Sequence, residues 1–266
     1  MKKLIAAITA ATLATVCLAQ NRVGDIVKSG EDFFVYLTEL KTPEGNDEFQ
    51  RNISIVRMQN SALKHLKDQI AAEHDNEKKL FLDAKFKKLE GEYKLNEKLM
   101  AESYGFAPNR IYKQVYMASN ICIVLREGEI AELRMDGKPI DPQKMATKGA
   151  VSMYRTKSIE GAQENEKLQN RLADLMNVQL EIDRTRKQLA ETKDVVVQKS
   201  LNEKIVQSEN KIKEIDAEIR KAYGIPPARD YAVEVANSRL YMLLNDKEKK
   251  DVMQRMAKAQ KTAPKK

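Results

Sequence analysis

Few residues in this chain have the type and spacing that chemistry requires. The only histidines are His65 and His74, nine residues apart. On a helix, nine residues turn through about 900°, so the two rings point to opposite sides and cannot share a metal ion. Cys122 lies in an apolar run with no histidine nearby in sequence, which suits a small core residue rather than a nucleophile. The carboxylates are scattered among lysines at helical spacing, which reads as a solvated ion-paired surface. There is no phosphate-cradling P-loop, no G-x-S-x-G elbow and no H-E-x-x-H pair. The sequence therefore calls for no cofactor, no metal and no catalytic set.

One motif is sharp, and it occurs twice. Tyr104-Gly105-Phe106-Ala107-Pro108-Asn109-Arg110-Ile111-Tyr112 and Tyr223-Gly224-Ile225-Pro226-Pro227-Ala228-Arg229-Asp230-Tyr231 both read Y-G-x-x-P-x-R-x-Y. Tyr104, Arg110, Tyr112, Tyr223, Arg229 and Tyr231 are the candidate partner-binding residues, because arginine forks and tyrosine rings recur in protein interfaces. The competing reading is structural: glycine stops a helix, proline prevents its resumption, and arginine bonds the turn carbonyls.

The offset between the two motifs, 119 residues, extends well beyond them. Seven of the 22 positions from Tyr104 to Leu125 are identical to those from Tyr223 to Leu244. At the same offset Asn46 falls on Asn165, Gln50 on Gln169, Asp75 on Asp194 and Lys85 on Lys204. The chain reads as a tandem duplication, with unit 1 at 20–140 and unit 2 at 141–251.

Each unit must position its motif with helices. Phe49, Ile53, Val56, Asn60, Leu63, Lys67 and Ile70 step by four and three, as do Leu168, Leu172, Leu175, Gln179, Ile182, Arg186 and Leu189. A second stripe follows in each copy, Leu82 to Met100 and Leu201 to Ile219, out of phase with the first. The spacing predicts antiparallel, coiled-coil-like helical hairpins over 46–103 and 165–222. Asn46 and Asn165 are expected to cap the first arms, Asp75 and Asp194 the second. Gly105 and Gly224 then end the hairpins. Phe33–Leu40 and Val151–Thr156 read as strands before the arms. After them, Tyr112–Tyr116 with Ile121–Arg126, and Tyr231–Val235 with Arg239–Leu244, read as strand pairs joined by Asn/Ser turns. Ile130–Met135 with Asp136-Gly137 adds a further strand within 111–135. The expected fold is α+β and helix-dominated: a repeated β-α-α-β-β unit whose flanking strands build a small antiparallel sheet in each copy.

Residues 1–19 read as a secretory signal peptide: Lys2 and Lys3, an uncharged run from Leu4 to Leu18, and small-residue signals at Cys17 and Ala19. The run is shorter than the ~20 residues of a spanning helix. Val16 stands where a lipoprotein signal wants Gly or Ala before Cys17, which argues against lipid anchoring. The chain is expected to be exported, to a periplasm or beyond. Its formal charge of +8 is unevenly placed. Lys2 and Lys3 carry +2, and Arg255, Lys258, Lys261, Lys265 and Lys266 make 252–266 a basic tail of +5, so the body from 20 to 251 is near +1. Weak contact with anionic polymer or lipid belongs to that tail, and no specific nucleic acid is expected.

These features suggest a non-enzymatic cell-envelope scaffold that binds other envelope proteins through its hairpins, with self-association an open alternative. The passage Lys98-Leu99-Met100-Ala101-Glu102-Ser103-Tyr104-Gly105-Phe106, entering strands from a helical arm, is similar to small periplasmic chaperones of the Skp/OmpH type. That resemblance implies a holdase activity. A hydrolase of envelope polymers is the remaining alternative.

Overall fold

The computed structural model describes residues 22–107 and 110–262. The expected signal segment, the motif residues Pro108 and Asn109, and the tail lysines Lys265 and Lys266 lie outside them. The chain is mixed α+β and mostly helical, with a small antiparallel sheet. Its strands are β1 (Ile26–Ser29), β2 (Asp32–Leu40), β3 (Tyr112–Val124), β4 (Arg134–Met135), β5 (Lys138–Pro139), β6 (Met145–Lys148), β7 (Val151–Glu160) and β8 (Tyr231–Leu243). Its α-helices are α1 (Pro43–Ala72), α2 (Asn76–Tyr104), α3 (Glu127–Glu132), α4 (Ala162–Glu191), α5 (Val195–Tyr223) and α6 (Asp246–Thr262). The bounds of β6, α4, α5 and β8 each fall 119 residues after those of β1, α1, α2 and β3.

Both helical hairpins form. Only Glu73–Asp75 and Thr192–Asp194 separate their arms, which pack side by side. Each 30-residue first arm is about 45 Å long. Asp75 caps α2 by accepting from the N–H groups of Glu77 and Lys78, and Asp194 does the same for Val196 and Val197. These bonds satisfy backbone donors that a helix start leaves free. The second arms end at Gly105 (φ 67°) and Gly224 (φ 69°), in the left-handed region where a Cβ is penalised. The polar seam residues reach across or along the arms: Arg186 pairs with Glu209 at 2.7 Å, and the Lys67 ammonium lies over the Phe86 ring.

Asn46 and Asn165 are not caps. The first arms start three residues earlier, at Pro43 after Thr42, whose Oγ1 accepts from Gly45 N–H at 3.1 Å, and at Ala162 after Gly161. Proline at the first helical position has no N–H to satisfy, which favours that earlier start. The two asparagines sit buried in the first turn. Asn46 Nδ2 donates to Leu40 O (3.1 Å) and Thr42 O (2.8 Å). Asn165 Nδ2 donates to Ile159 O (3.0 Å) and Gly161 O (2.8 Å). Each thereby ties a strand end to the helix it feeds.

The expected Asn/Ser turns are absent, since β3 and β8 are continuous 13-residue strands. Ser119 and Ser238 stand mid-strand with buried side chains, and neighbouring strands pair their backbones. Tertiary pairing here outweighs the local turn preference of Asn and Ser. Of the expected strand Ile130–Met135, residues 130–132 belong to helix α3, and only Arg134–Met135 are strand. Glu129 accepts from the Arg126 N–H at its start, and Leu133 turns left-handed at its end (φ 49°). Asp136-Gly137 does form the tight turn, between the two-residue strands β4 and β5.

The compact units are not the consecutive halves of the chain. One comprises 22–115 with 235–262, and the other comprises 116–234. In the α1/α2 unit the strand order is β1-β2-β8, and Leu243 N–H donates to Ile111 O at 2.9 Å. In the α4/α5 unit it is β3-β7-β6, and Val124 N–H donates to Asp230 O at 2.9 Å. Thus β2 pairs with β8 and β7 with β3, so the strands flanking one hairpin do not pair with each other as expected. The registers correspond, Leu40 opposite Ser238 and Ile159 opposite Ser119, with an irregularity at Leu37 and at Thr156.

Each unit buries its own core. Phe49, Ile53, Val56 and Met100 pack with Leu40, Phe106 and Leu240. Leu168, Val178, Ile182, Ile215 and Ile219 pack with Ile121, Ile123 and Ile159. Replacing a fully buried Leu or Ile by Ala costs about 2–5 kcal/mol. Leu240→Ala is therefore expected to speed amide exchange in α1, and Ile121→Ala in α4. Exchange rising in the opposite hairpins would contradict this strand assignment.

Candidate functional site

The repeated motif closes the foot of each hairpin. In the α1/α2 unit, Tyr104 meets Phe49 edge-on at 5.1 Å between ring centres, and Phe106 stacks on Tyr112 at 4.7 Å. The Tyr112 hydroxyl donates to Ala107 O at 2.8 Å and accepts from Ala107 N–H. In the α4/α5 unit, the Tyr231 hydroxyl donates to Asp216 Oδ1 at 3.1 Å, and the Arg220 guanidinium lies over its ring. Arg220 also pairs with Asp216 at 2.6 Å and donates to Pro226 O and Arg229 O at 2.8 Å each. Burial, then Asp216, raises the Tyr231 phenol above its usual range, so it stays protonated. Tyr223 carries the Lys157 ammonium over its ring at 5.4 Å. Each of the four motif tyrosines thus makes a contact within its own unit.

The arginines have acidic partners that the motif alone does not reveal. Arg110 holds Glu248 at 2.6 Å and donates to Leu243 O at 2.8 Å. Arg229 holds Glu129 at 2.9 Å, and Asp136 lies 4.0 Å away. The signal was present in the sequence, because Glu129 and Glu248 are themselves 119 residues apart. Each glutamate also accepts a backbone N–H at the start of the following helix, from Arg126 and Asn245 respectively. The two latches differ in burial. The Arg229 side chain is 4% exposed and Glu129 15%, against 19% and 39% for Arg110 and Glu248. Arg229 Nε and Nη1 are buried without a hydrogen bond.

A second polar cluster sits at the foot of α1. The Asn46 carbonyl oxygen accepts from Ser238 Oγ at 2.5 Å and from Gln114 Nε2 at 3.0 Å, and Gln114 also bonds Gln50. In the α4/α5 unit Val233 stands where Gln114 would be, and Asn165 Oδ1 and Ser119 Oγ are buried without partners.

Cys122 is fully buried, and its Sγ lies 3.8 Å from Asn120 O. Burial, with the nearby Glu234 carboxylate, pushes its thiol up to about 12, so the nucleophilic thiolate is not populated near neutral pH. His65 and His74 are exposed, His65 on α1 and His74 in the link to α2. Among the described residues no group of three or more His, Cys, Asp or Glu is placed to hold a metal, and no helix is long and apolar enough to cross a membrane.

The tips contrast with these closed feet. Beside Asp75, Leu80 and Phe81 are 70% and 66% exposed, and beside Asp194, Val195 and Val196 are 75% and 79% exposed. A crevice of about 420 Å³ at the first tip is lined by Gln69, Ala72, Glu73, Lys78, Phe81 and Leu82. A depression of about 630 Å³ runs along α5 from Val195 to Val206. Of the basic tail, Arg255 is exposed on α6, and Lys258 and Lys261 fall within the same helix.

Compared with protein-family models, curated proteins and solved structures, the chain finds no match.

Two measurements check this account. Arg229→Ala should cost about 3 kcal/mol by leaving Glu129 uncompensated, and Arg110→Ala about 1 kcal/mol at its wetter site. The hydrogen bond from Arg110, then that from Asn245 N–H, holds the Glu248 carboxyl below its ordinary 4.5. A lowered folded-state value stabilises above the unfolded value and loses that effect as pH falls through the lowered one. The stability gap between parent and Arg110→Ala, read by urea unfolding, should thus be full at neutral pH and close in acid. Separately, a maleimide should label Cys122 only after unfolding, and fast labelling of the native chain would contradict its burial.

Proposed function

We propose that this chain is an exported, non-enzymatic envelope protein that holds protein partners at the tips of two helical hairpins. The observation that carries the reading is the pair of large, solvent-exposed apolar side chains at each tip, far along arms whose feet are locked by packing and ion pairs. Isolated exposed apolar residues are ordinary; paired ones at both tips fit a contact surface. Export rests on the pattern of residues 1–19, and the basic tail adds weak attraction to anionic polymer or lipid.

The proposal includes a tandem duplication whose hairpins pack in coiled-coil fashion. The common offset of 119 in motif identities and element bounds supports the first part. The alternating three- and four-residue stripes support the second. The holdase alternative draws on the same tips, since long arms ending in apolar side chains suit an unfolded client.

A photo-crosslinking amino acid at Phe81 or Val196 should capture envelope proteins more efficiently than one at the mid-arm position Glu92. Leu80→Ser/Phe81→Ser should lower capture at the first tip severalfold. Equal capture at Glu92 would overturn the reading. Suppression of aggregation of an unfolded outer-membrane protein at stoichiometric ratio would favour the holdase over the scaffold.

A further inference from the structure

Helix α6 differs from its counterpart α3 in a way the hairpins do not explain. Helix α3 ends after six residues at Leu133, whereas α6, starting 119 residues after it, runs for 17 residues to Thr262. Its first turns are fastened to the α1/α2 unit by the Glu248–Arg110 pair and by Lys249, 4.0 Å from Asp32. Val252 is half-buried, and past it Met253 is 52% exposed, with Gln254 and Arg255 also exposed.

At about 100° per residue, positions 252, 253, 256, 257, 259 and 260 share an arc of about 160°: Val252, Met253, Met256, Ala257 and Ala259, with Gln260 the one polar residue among them. Positions 255, 258 and 261 fall on the other side, and all are cationic: Arg255, Lys258 and Lys261. Lys265 and Lys266 follow, and no acid occurs after Asp251.

We propose that the second half of α6 is an interfacial helix that docks on an anionic phospholipid bilayer. An apolar face beside an acid-free cationic face is what such a surface recognises: the apolar side enters the acyl boundary and the cations meet the headgroup phosphates. A nucleic acid or an acidic glycan would need the cations but leave the apolar arc unused. A second copy of α6 would cover that arc but bring two uncompensated cationic faces together.

The test uses the chain from Gln20 onward, which carries every described element, with vesicles of phosphatidylglycerol and phosphatidylcholine or of phosphatidylcholine alone. Co-sedimentation is expected with the anionic vesicles only, weakening as salt rises. Lys258→Glu/Lys261→Glu should lower the affinity at least about tenfold. Met253→Ser/Met256→Ser should lower it about tenfold while leaving retention on heparin unchanged. The thermal transition of each variant reports whether the folded units are intact, and a chain ending at Asp251 provides the null. The proposal is overturned if the parent fails to sediment, if it sediments equally with phosphatidylcholine alone, or if the Met→Ser variant binds anionic vesicles like the parent. The hairpin-tip reading is unaffected by any of these results, since Leu80, Phe81, Val195 and Val196 are unchanged.

Discussion

The arrangement depends on what lies beneath the first turn of each long hairpin. A 30-residue amphipathic helix needs a fixed foot, or its apolar stripe has nothing to close on. At the foot of α1, the Asn46 amide holds the end of β2 through Leu40 O, while its carbonyl oxygen receives Ser238 from a strand nearly two hundred residues later. Leu240, from the same strand, packs with Phe49 and Ile53. Buried polar groups of this kind stabilise only when partnered, which makes the position of β8 a requirement for the α1/α2 unit rather than an accessory. The counterpart pair Asn165 and Ser119 is equally buried but less well satisfied. The α4/α5 unit relies instead on its larger set of buried isoleucines, Ile182, Ile215 and Ile219 among them.

The repeated motif follows from the same constraint. A helix that returns to its foot must stop, turn and enter a strand within about eight residues. Glycine allows the left-handed stop, tyrosine fills the corner, and arginine anchors the next segment through a glutamate. Arg110, Arg229 and the hydroxyls of Tyr112 and Tyr231 all have partners of this sort. Large exposed apolar side chains stand at the hairpin tips, at Leu80, Phe81, Val195 and Val196, and also along the arms at Met58, Leu95 and Leu99.

Much of this was legible along the chain. The hairpins, their tips at Asp75 and Asp194, and their glycine stops follow from local capping and from three- and four-residue spacing, which act over a few residues. The buried state of Cys122 was legible from its apolar neighbours. The unbroken course of β3 and β8 was not legible, because Asn and Ser favour turns only when no neighbouring strand claims their backbone groups. The reading of Asn46 as a cap failed for a related reason: a side chain that can cap can equally bond a strand end when the helix starts one turn earlier. The Arg110–Glu248 and Arg229–Glu129 pairs could have been found by carrying the 119-residue offset past the motif.

The sequence alone determined the two helical hairpins, their tips and their glycine stops, the spacing of corresponding elements and the uneven distribution of charge, because each is a local or pairwise property of residue order. Which strand seats which hairpin was decided only in three dimensions. Strands β3 and β8 have similar composition, and backbone hydrogen bonds do not discriminate between similar strands. What differs is the packing beneath each hairpin, Ser238 and Leu240 under α1 and Ile121 and Ile123 under α4. The division into 22–115 with 235–262, and 116–234, is the consequence.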